Sequence, residues 1–308
     1  LSARRSFLRV AVVFPGQGTQ TPGMGLPWRD HPAWKILEQA ESALGEPLAP
    51  LLLDATADDL ARTRASQLSV LCTSLIAWEA ARPFLDDIVA FGGHSLGQVT
   101  ALIAAGVMDL EDGVRFAARR AELTQAAADA HPGRMAALLG ATIEEAETAC
   151  AAAPDAAWIA NDNAPGQVVI AGTPEGIDAA AARAKELGVK RAMPLKVGGA
   201  FHTPLMRDAS AGIASALTGV ALQSPSAPVV SNHDGALYDD ADGWRARLPE
   251  HVTMPVRWRT SMETLAGTGV DSFVEVGNGA MIAGVAKRTV PEVRVLPCAT
   301  PEECEALV

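Results

Sequence analysis

The sequence predicts an α/β fold with a parallel central sheet and a small inserted subdomain. Three observations predict it. The run Val10-Ala11-Val12-Val13-Phe14 is continuously apolar and rich in β-formers, as expected for a strand covered on both faces. A second run, Ile88-Val89-Ala90-Phe91, stops at Gly92-Gly93 and passes through Ser95 into the helically spaced Leu96, Val99, Leu102 and Ala105. From about 134 to 198 the periods change, and the elements read βαββαβ, the order of a ferredoxin-like unit. The expected division is 1–133 with 199–308 for the large subdomain and 134–198 for the insert. A chain of 308 residues exceeds the usual single-domain size, which suits such a division.

Taken in order, the first strand ends in Pro15-Gly16-Gln17-Gly18-Thr19-Gln20, at the carboxyl edge where α/β sheets place their sites. Two glycines there permit positive φ, but neither Gly-Lys-Ser/Thr nor Gly-x-Gly-x-x-Gly is present, so no phosphate loop is indicated. Residues 31–84 read as helices. Thr63–Ala81 is the clearest, with Leu68, Leu71, Cys72, Leu75 and Trp78 on one stripe. Gln67 near its start joins the pocket candidates, although a glutamine there is ordinarily a surface residue. A helix over about 111–128 carries Arg115, Arg119 and Arg120. Such arginines ordinarily form a solvated face, unless one turns inward to bind a carboxylate with its fixed fork. In the insert, Met135–Leu139, Ala157–Ala160, Gln167–Ala171 and Lys190–Leu195 read as strands. Thr142-Ile143-Glu144-Glu145 is a capping box, and Thr173-Pro174 opens a second helix. Val229-Val230-Ser231-Asn232 and Ser272–Val276 read as later core strands.

Composition bounds the function. Net charge is −11, which argues against generic nucleic-acid or anionic-membrane binding. No apolar run approaches the roughly 18–20 residues that span a membrane. Arg4 and Arg5 precede an apolar segment that runs straight into a Gly-rich loop, so it is read as the first strand and not as a signal peptide. The chain starts at Leu1, so a trimmed or processed start is expected. Cys72, Cys150, Cys298 and Cys304 show no metal-ligand spacing; free thiols in a reducing, cytoplasmic compartment are expected, with no metal.

The chemistry concentrates at Gly93-His94-Ser95-Leu96-Gly97. Strand, Gly-x-Ser-x-Gly turn and helix form the nucleophile elbow, so the large subdomain is expected to be α/β-hydrolase-like. Side chains at positions 93 and 97 would collide with the neighbouring strand or helix, which is why both are glycine. Ser95 is therefore the candidate nucleophile. The helix starting at Leu96 aims its N–H groups at the same spot, suiting an oxyanion. Of six histidines, only His202 pairs a flexible Gly198-Gly199 approach with a Pro204-started helix outside the elbow, making it the candidate general base.

At these residues the chain resembles malonyl-CoA:acyl carrier protein transacylases and the related acyltransferase domains of polyketide synthases. Phe14–Gln20 resembles the family's N-terminal loop, and Gly93–Gly97 its nucleophile motif. Arg120, five residues before Gln125, is similar to its carboxylate-binding arginine. Asn161-Asp162-Asn163-Ala164-Pro165-Gly166-Gln167, Gly199–Met206 and Val274–Gly277 match its remaining signatures. The resemblance implies ping-pong acyl transfer. Ser95 takes the acyl group from an acyl-CoA, with His202 as base and the backbone N–H groups of Gln17 and Leu96 as the oxyanion hole. The phosphopantetheine thiol of an acyl carrier protein then receives it. A backbone carbonyl, at His251 here where the family often has glutamine, is implied to orient the base. Arg120 is implied to read the free carboxylate of the acyl group, with Phe201, Gln67 and Asn161 in the pocket. Leu96 and Ala200-Phe201-His202 resemble malonyl-type members, whereas methylmalonyl-type members tend to have glutamine after the serine. No bound cofactor is implied. A monomer is expected, serving a carrier through local cations.

Two rivals have distinct requirements. A serine thioesterase or esterase would need an acidic residue for the base, and Asp155, Asp162 and Asp178 all fall in the insert. A non-catalytic carrier-docking protein would not need Ser95, His202 and Arg120 together. Transfer of another extender unit and the choice between fatty-acid and polyketide synthesis stay open.

Overall fold

The computed structural model describes residues 8–307. Arg4 and Arg5 lie outside the described residues. In chain order the main elements are β1 (Arg9–Phe14), α1 (Lys35–Leu44), α2 (Ala49–Leu53), α3 (Ala57–Leu60), α4 (Thr63–Ala81), β2 (Asp87–Gly93), α5 (Leu96–Ala104) and α6 (Leu110–Ala130). Then follow β3 (Arg134–Leu139), α7 (Ile143–Cys150), β4 (Ala157–Ala164), β5 (Gln167–Gly172), α8 (Pro174–Glu186) and β6 (Arg191–Pro194). The chain continues with α9 (Arg207–Leu217), β7 (Val229–Val230), β8 (Leu237–Tyr238), α10 (Ala241–Arg247), α11 (Trp258–Gly267), β9 (Ser272–Val276), α12 (Met281–Thr289), β10 (Arg294–Cys298) and α13 (Pro301–Glu305).

The larger sheet has the order β10-β9-β1-β2-β7-β8 and is parallel except where β8 runs back along β7. β1 sits between β9 and β2, where the winding reverses, and every residue from Val10 to Phe14 is buried, as its apolar run requires. In register, Phe14 lies opposite Gly93. The loops leaving β1 and β2 therefore emerge side by side at the carboxyl edge, the place such sheets use for ligands. Phe14, Trp78 and Phe91 meet edge to face in the layer between β1, β2 and α4, with centroids 6.3 and 5.6 Å apart.

α4 has the predicted bounds but not the predicted single stripe. Gln67, Ser69, Thr73 and Ser74 are buried along with Leu68, Leu71 and Cys72, so the helix runs through the interior. A Cβ on Gly277, whose φ is +128°, would sit 2.2 Å from Ser74 Oγ.

The second sheet has the order β4-β5-β3-β6 and is antiparallel throughout, with α7 and α8 packed together. The capping box at Thr142 and Glu145 forms, and Thr173 caps α8 ahead of Pro174. The end of β4 is stitched to the segment that leads into α11. Asp162 N–H donates to Val256 O at 2.9 Å, Val256 N–H donates to Ala160 O at 2.9 Å, and the Asp162 carboxylate pairs with Arg259 at 2.9 Å.

Two features depart from the sequence expectations. β10 carries Pro297 in its middle, which erases a strand signal. It is tolerated because β10 is the edge of the sheet, where one side needs no ladder bonds. The expectation of four free thiols also fails. β10 and α13 fold back so that Cys298 and Cys304 lie 5.0 Å apart at Cα and form a disulfide. Cys72 and Cys150 are free, and burial pushes both thiols up to about 12.

Candidate active site

The elbow is built by close approach. A Cβ on Gly93 would lie 1.9 Å from Gly97 O, and one on Gly97 would lie 2.2 Å from Phe14 O. Only glycine lets α5 start this close to β1 and β2. Ser95, between them, has φ 52° and ψ −102°, a conformation that a non-glycine residue adopts at a cost of about 1–3 kcal/mol. That turn lifts its hydroxyl off the end of β2. Leu96 is the first residue of α5, so its N–H has no acceptor within the helix. Gln17 lies in the turn after β1. That turn presses on the elbow so closely that a Cβ on Gly16 would sit 2.4 Å from His94 O.

His202 is buried and meets Ser95 directly, with Nε2 2.8 Å from Ser95 Oγ. Its Nδ1 lies 2.8 Å from His251 O. A carbonyl can only accept, so Nδ1 carries the proton and Nε2 presents a lone pair to the serine hydroxyl. Burial first, and the Arg120 charge second, lower the imidazolium to about 3, so the ring is a neutral acceptor at neutral pH. His202 also has a positive φ, 62°. Ser95 and His202 are thus two of the three described non-glycine residues with this strain; the other, Asp155, is in the turn between α7 and β4. The side chains of Asp162 and Asp178 pair with Arg259 and Arg134, away from His202.

α6 separates its three arginines. Arg115 pairs with Glu111 and Asp112 at 2.8 and 3.2 Å, and Arg119 with Glu122 at 3.0 Å, all on the solvated face. Arg120 is only 7% exposed. Its Nη1 donates to Gln67 Oε1 at 2.7 Å, and its Nη2 lies 3.4 Å from Ser95 Oγ. Among the described residues no carboxylate pairs with it. Burial alone brings its guanidinium down to about 10, still protonated at neutral pH. A buried guanidinium with no carboxylate paired to it among the described residues has the charge and the fork geometry that suit an anion. Gln67, expected on general grounds to be a surface residue, is therefore an interior acceptor fixing one arm of this fork.

The remaining candidates lie around this centre. Phe201 is half-buried and packs against the core of the larger sheet's layer and against the apolar residues of β3 and β5. Asn161 is buried in β4, bridging to Val256. It is not the β4 residue that reaches the elbow. Asn163 is, with Oδ1 2.8 Å from His94 Nε2, while His94 packs edge to face on Trp258 at 5.7 Å.

Three polar residues escaped sequence reasoning. Asn163 lay within a recognised segment without a role. Asn232, at the end of β7, accepts from Ser95 N–H at 2.7 Å and donates to Gly93 O at 2.8 Å. Gln98 Oε1 accepts from Asn232 N–H at 3.0 Å. The available signal was polarity at the carboxyl end of a buried strand, as in Ser231-Asn232, where a core strand has no other use for an amide.

Known proteins share this arrangement of elements. The acyl transferase domain model matches residues 11–304. The chain is similar to the malonyl CoA-acyl carrier protein transacylase of Bacillus subtilis (strain 168), 33% identical over 307 residues covering 97% of this chain and 96% of that one. Its structure is similar to that of an acyl carrier protein S-malonyltransferase from Vibrio cholerae, with a TM-score of 0.93, 32% identity and coverage of 97% and 100%. It is equally similar, at a TM-score of 0.93 and 31% identity, to a malonyl-transacylase solved in complex with its type II PKS acyl-carrier protein, with coverage of 97% and 98%. The matched span contains the elbow and the residues around Ser95, His202 and Arg120, and the chain belongs to the acyl transferase domain family.

Proposed function

We propose that the protein transfers a malonyl group from malonyl-CoA to the phosphopantetheine thiol of an acyl carrier protein, through an acyl-enzyme on Ser95. The observation that carries this reading is Arg120: a buried guanidinium without a carboxylate partner among the described residues, 3.4 Å from the candidate nucleophile. It fits an acyl group that brings its own carboxylate. The printed names of the relatives support the same substrate and the same class of carrier.

His202 Nε2 takes the Ser95 proton as Oγ attacks the thioester carbonyl. The tetrahedral oxyanion rests on the N–H groups of Gln17 and Leu96. The C–S bond breaks, and His202 returns its proton to the departing thiolate of CoA. The carrier thiol then enters, gives its proton to His202 and attacks the seryl ester, and collapse restores Ser95 Oγ–H. His251 O keeps Nδ1–H in place throughout, so the base needs no acidic partner. The bound malonyl carboxylate offsets the Arg120 charge that depresses His202, which makes the base a better proton acceptor when the correct substrate is present. Gln67 holds the fork, while Leu96, Phe201 and Asn161 bound the space around the acyl group.

The fold belongs to this proposal in its finer description. The large part is α/β-hydrolase-like, supported by the elbow at the end of β2. Residues 134–198 form a ferredoxin-like insert, supported by the βαββαβ order and the sheet order β4-β5-β3-β6.

Incubation of the protein with labelled malonyl-CoA and a phosphopantetheinylated carrier tests the reading. The label is expected on the carrier, with none on the same carrier lacking its phosphopantetheine. Fast release of free malonate irrespective of carrier would instead identify a thioesterase.

A further inference from the structure

We infer that Ser231 and Asn232, two neighbouring side chains at the end of β7, are positioning residues that set the nucleophile and its base at their working separation. The inference rests on the reading of Ser95 and His202 as that pair, and it concerns residues that touch neither the acyl group nor the carrier.

β7 is two residues long and runs parallel to β2, with Val229 opposite Phe91. Its carboxyl end therefore emerges next to the elbow. Asn232 is 2% exposed, and three of its hydrogen bonds run to the elbow and α5. Its carboxamide accepts from Ser95 N–H at 2.7 Å and donates to Gly93 O at 2.8 Å, while its own N–H donates to Gln98 Oε1 at 3.0 Å. The carboxamide thus spans the peptide groups on either side of His94. It satisfies backbone groups that a turn with φ 52° at Ser95 removes from any strand or helix ladder. Using the Ser95 N–H in this way also leaves the oxyanion to other amides.

Ser231 does the corresponding work for the base. Its Oγ lies 3.2 Å from His251 Nε2 and accepts from His233 N–H at 3.3 Å. His251 is the residue whose carbonyl accepts from His202 Nδ1 at 2.8 Å. Trp244 packs edge to face on the His251 ring at 6.1 Å, so Ser231 and Trp244 fix that residue from two sides. The turn bearing Ser231 is closed on itself, with Ser231 N–H donating to Ala236 O at 2.9 Å and Gly235 N–H donating to Ser231 O at 2.8 Å. One rigid segment thereby grips both strained residues, Ser95 through Asn232 and His202 through Ser231 and His251. The 2.8 Å contact between Ser95 Oγ and His202 Nε2 is set from this segment and not by the elbow alone.

The test uses the full chain with Asn232→Ala, Asn232→Asp, Ser231→Ala and the double variant Ser231→Ala/Asn232→Ala, measuring kcat and KM for malonyl transfer together with thermal melting. Asn232→Ala is expected to lower kcat on the order of 100-fold, the effect of a displacement of about 1 Å, with KM for malonyl-CoA within about threefold of wild type. Asn232→Asp keeps the acceptor for Ser95 N–H but loses the donor to Gly93 O, and is expected to recover about tenfold of that loss. Ser231→Ala is expected to lower kcat about tenfold, and the double variant to fall by less than the product of the two. A folded Asn232→Ala protein with kcat within threefold of wild type, or a loss carried by KM, would overturn the inference. Should Asn232→Ala not fold, the same criteria apply to Asn232→Asp, with kcat within threefold of wild type again decisive against it. Wild-type transfer is measured in the same assay: its absence refutes the parent reading, whereas wild-type activity with unaffected variants refutes only this one.

Discussion

Replacing Arg120 with alanine is expected to lower kcat/KM for malonyl-CoA by about 10³-fold while improving the use of acetyl-CoA relative to malonyl-CoA by a larger factor. The magnitude follows from burial. Arg120 is 7% exposed and already desolvated, so an incoming carboxylate gains a full charge partner, and the fork is oriented beforehand by Gln67. An acetyl group leaves the guanidinium uncompensated and, by leaving its charge unopposed, also keeps His202 a poor proton acceptor. Alanine removes both penalties for acetyl and both gains for malonyl. Arg120→Lys keeps a charge without the planar fork and is expected to restore only part of the malonyl rate. Competition between the two acyl-CoA substrates measures the change directly. Unchanged discrimination in the alanine variant would remove Arg120 from substrate selection.

Replacing His202 with alanine is expected to lower kcat on the order of 10⁴-fold, with little change in KM for malonyl-CoA. In the proposed mechanism the acyl group is held by Arg120 and the oxyanion amides, which the substitution leaves in place. What is lost is the acceptor 2.8 Å from Ser95 Oγ, needed once for acylation and again for the carrier thiol. The partner of Nδ1 is a backbone carbonyl, so that contact supplies no carboxylate to substitute as base. Steady-state transfer with both substrates varied gives the kcat and KM split. A loss under tenfold would show that another group takes the proton.

What the sequence made legible here was local. The elbow is five consecutive residues, and its glycines are required by contacts with the adjoining helix and strand. The elements of the second sheet and their helices were legible because their capping residues and changes of period are also local. Arg120 was legible as a candidate but was separable from Arg115 and Arg119 only in three dimensions, although a spacing signal existed. Gly113, Ala117, Arg120, Thr124 and Ala128 fall on one buried stripe of α6, from which Arg115 and Arg119 are absent. The Asn232 clamp was out of reach for a different reason. It joins residues 137 positions apart, and no spacing rule connects a strand end to a turn at that distance. The disulfide had the same difficulty in smaller form. A separation of 6 residues resembles no ligand motif, and only the reversal between β10 and α13 brings the two sulfurs together.

In the proposed mechanism Ser95 carries the malonyl group between two thioesters. Mass analysis of the protein after brief exposure to malonyl-CoA, without carrier, tests it most directly. One malonyl adduct is expected, mapped by peptide sequencing to Ser95, absent from Ser95→Ala and discharged when a phosphopantetheinylated carrier is added. An adduct that persists in Ser95→Ala, or none in the wild-type protein, would contradict the account.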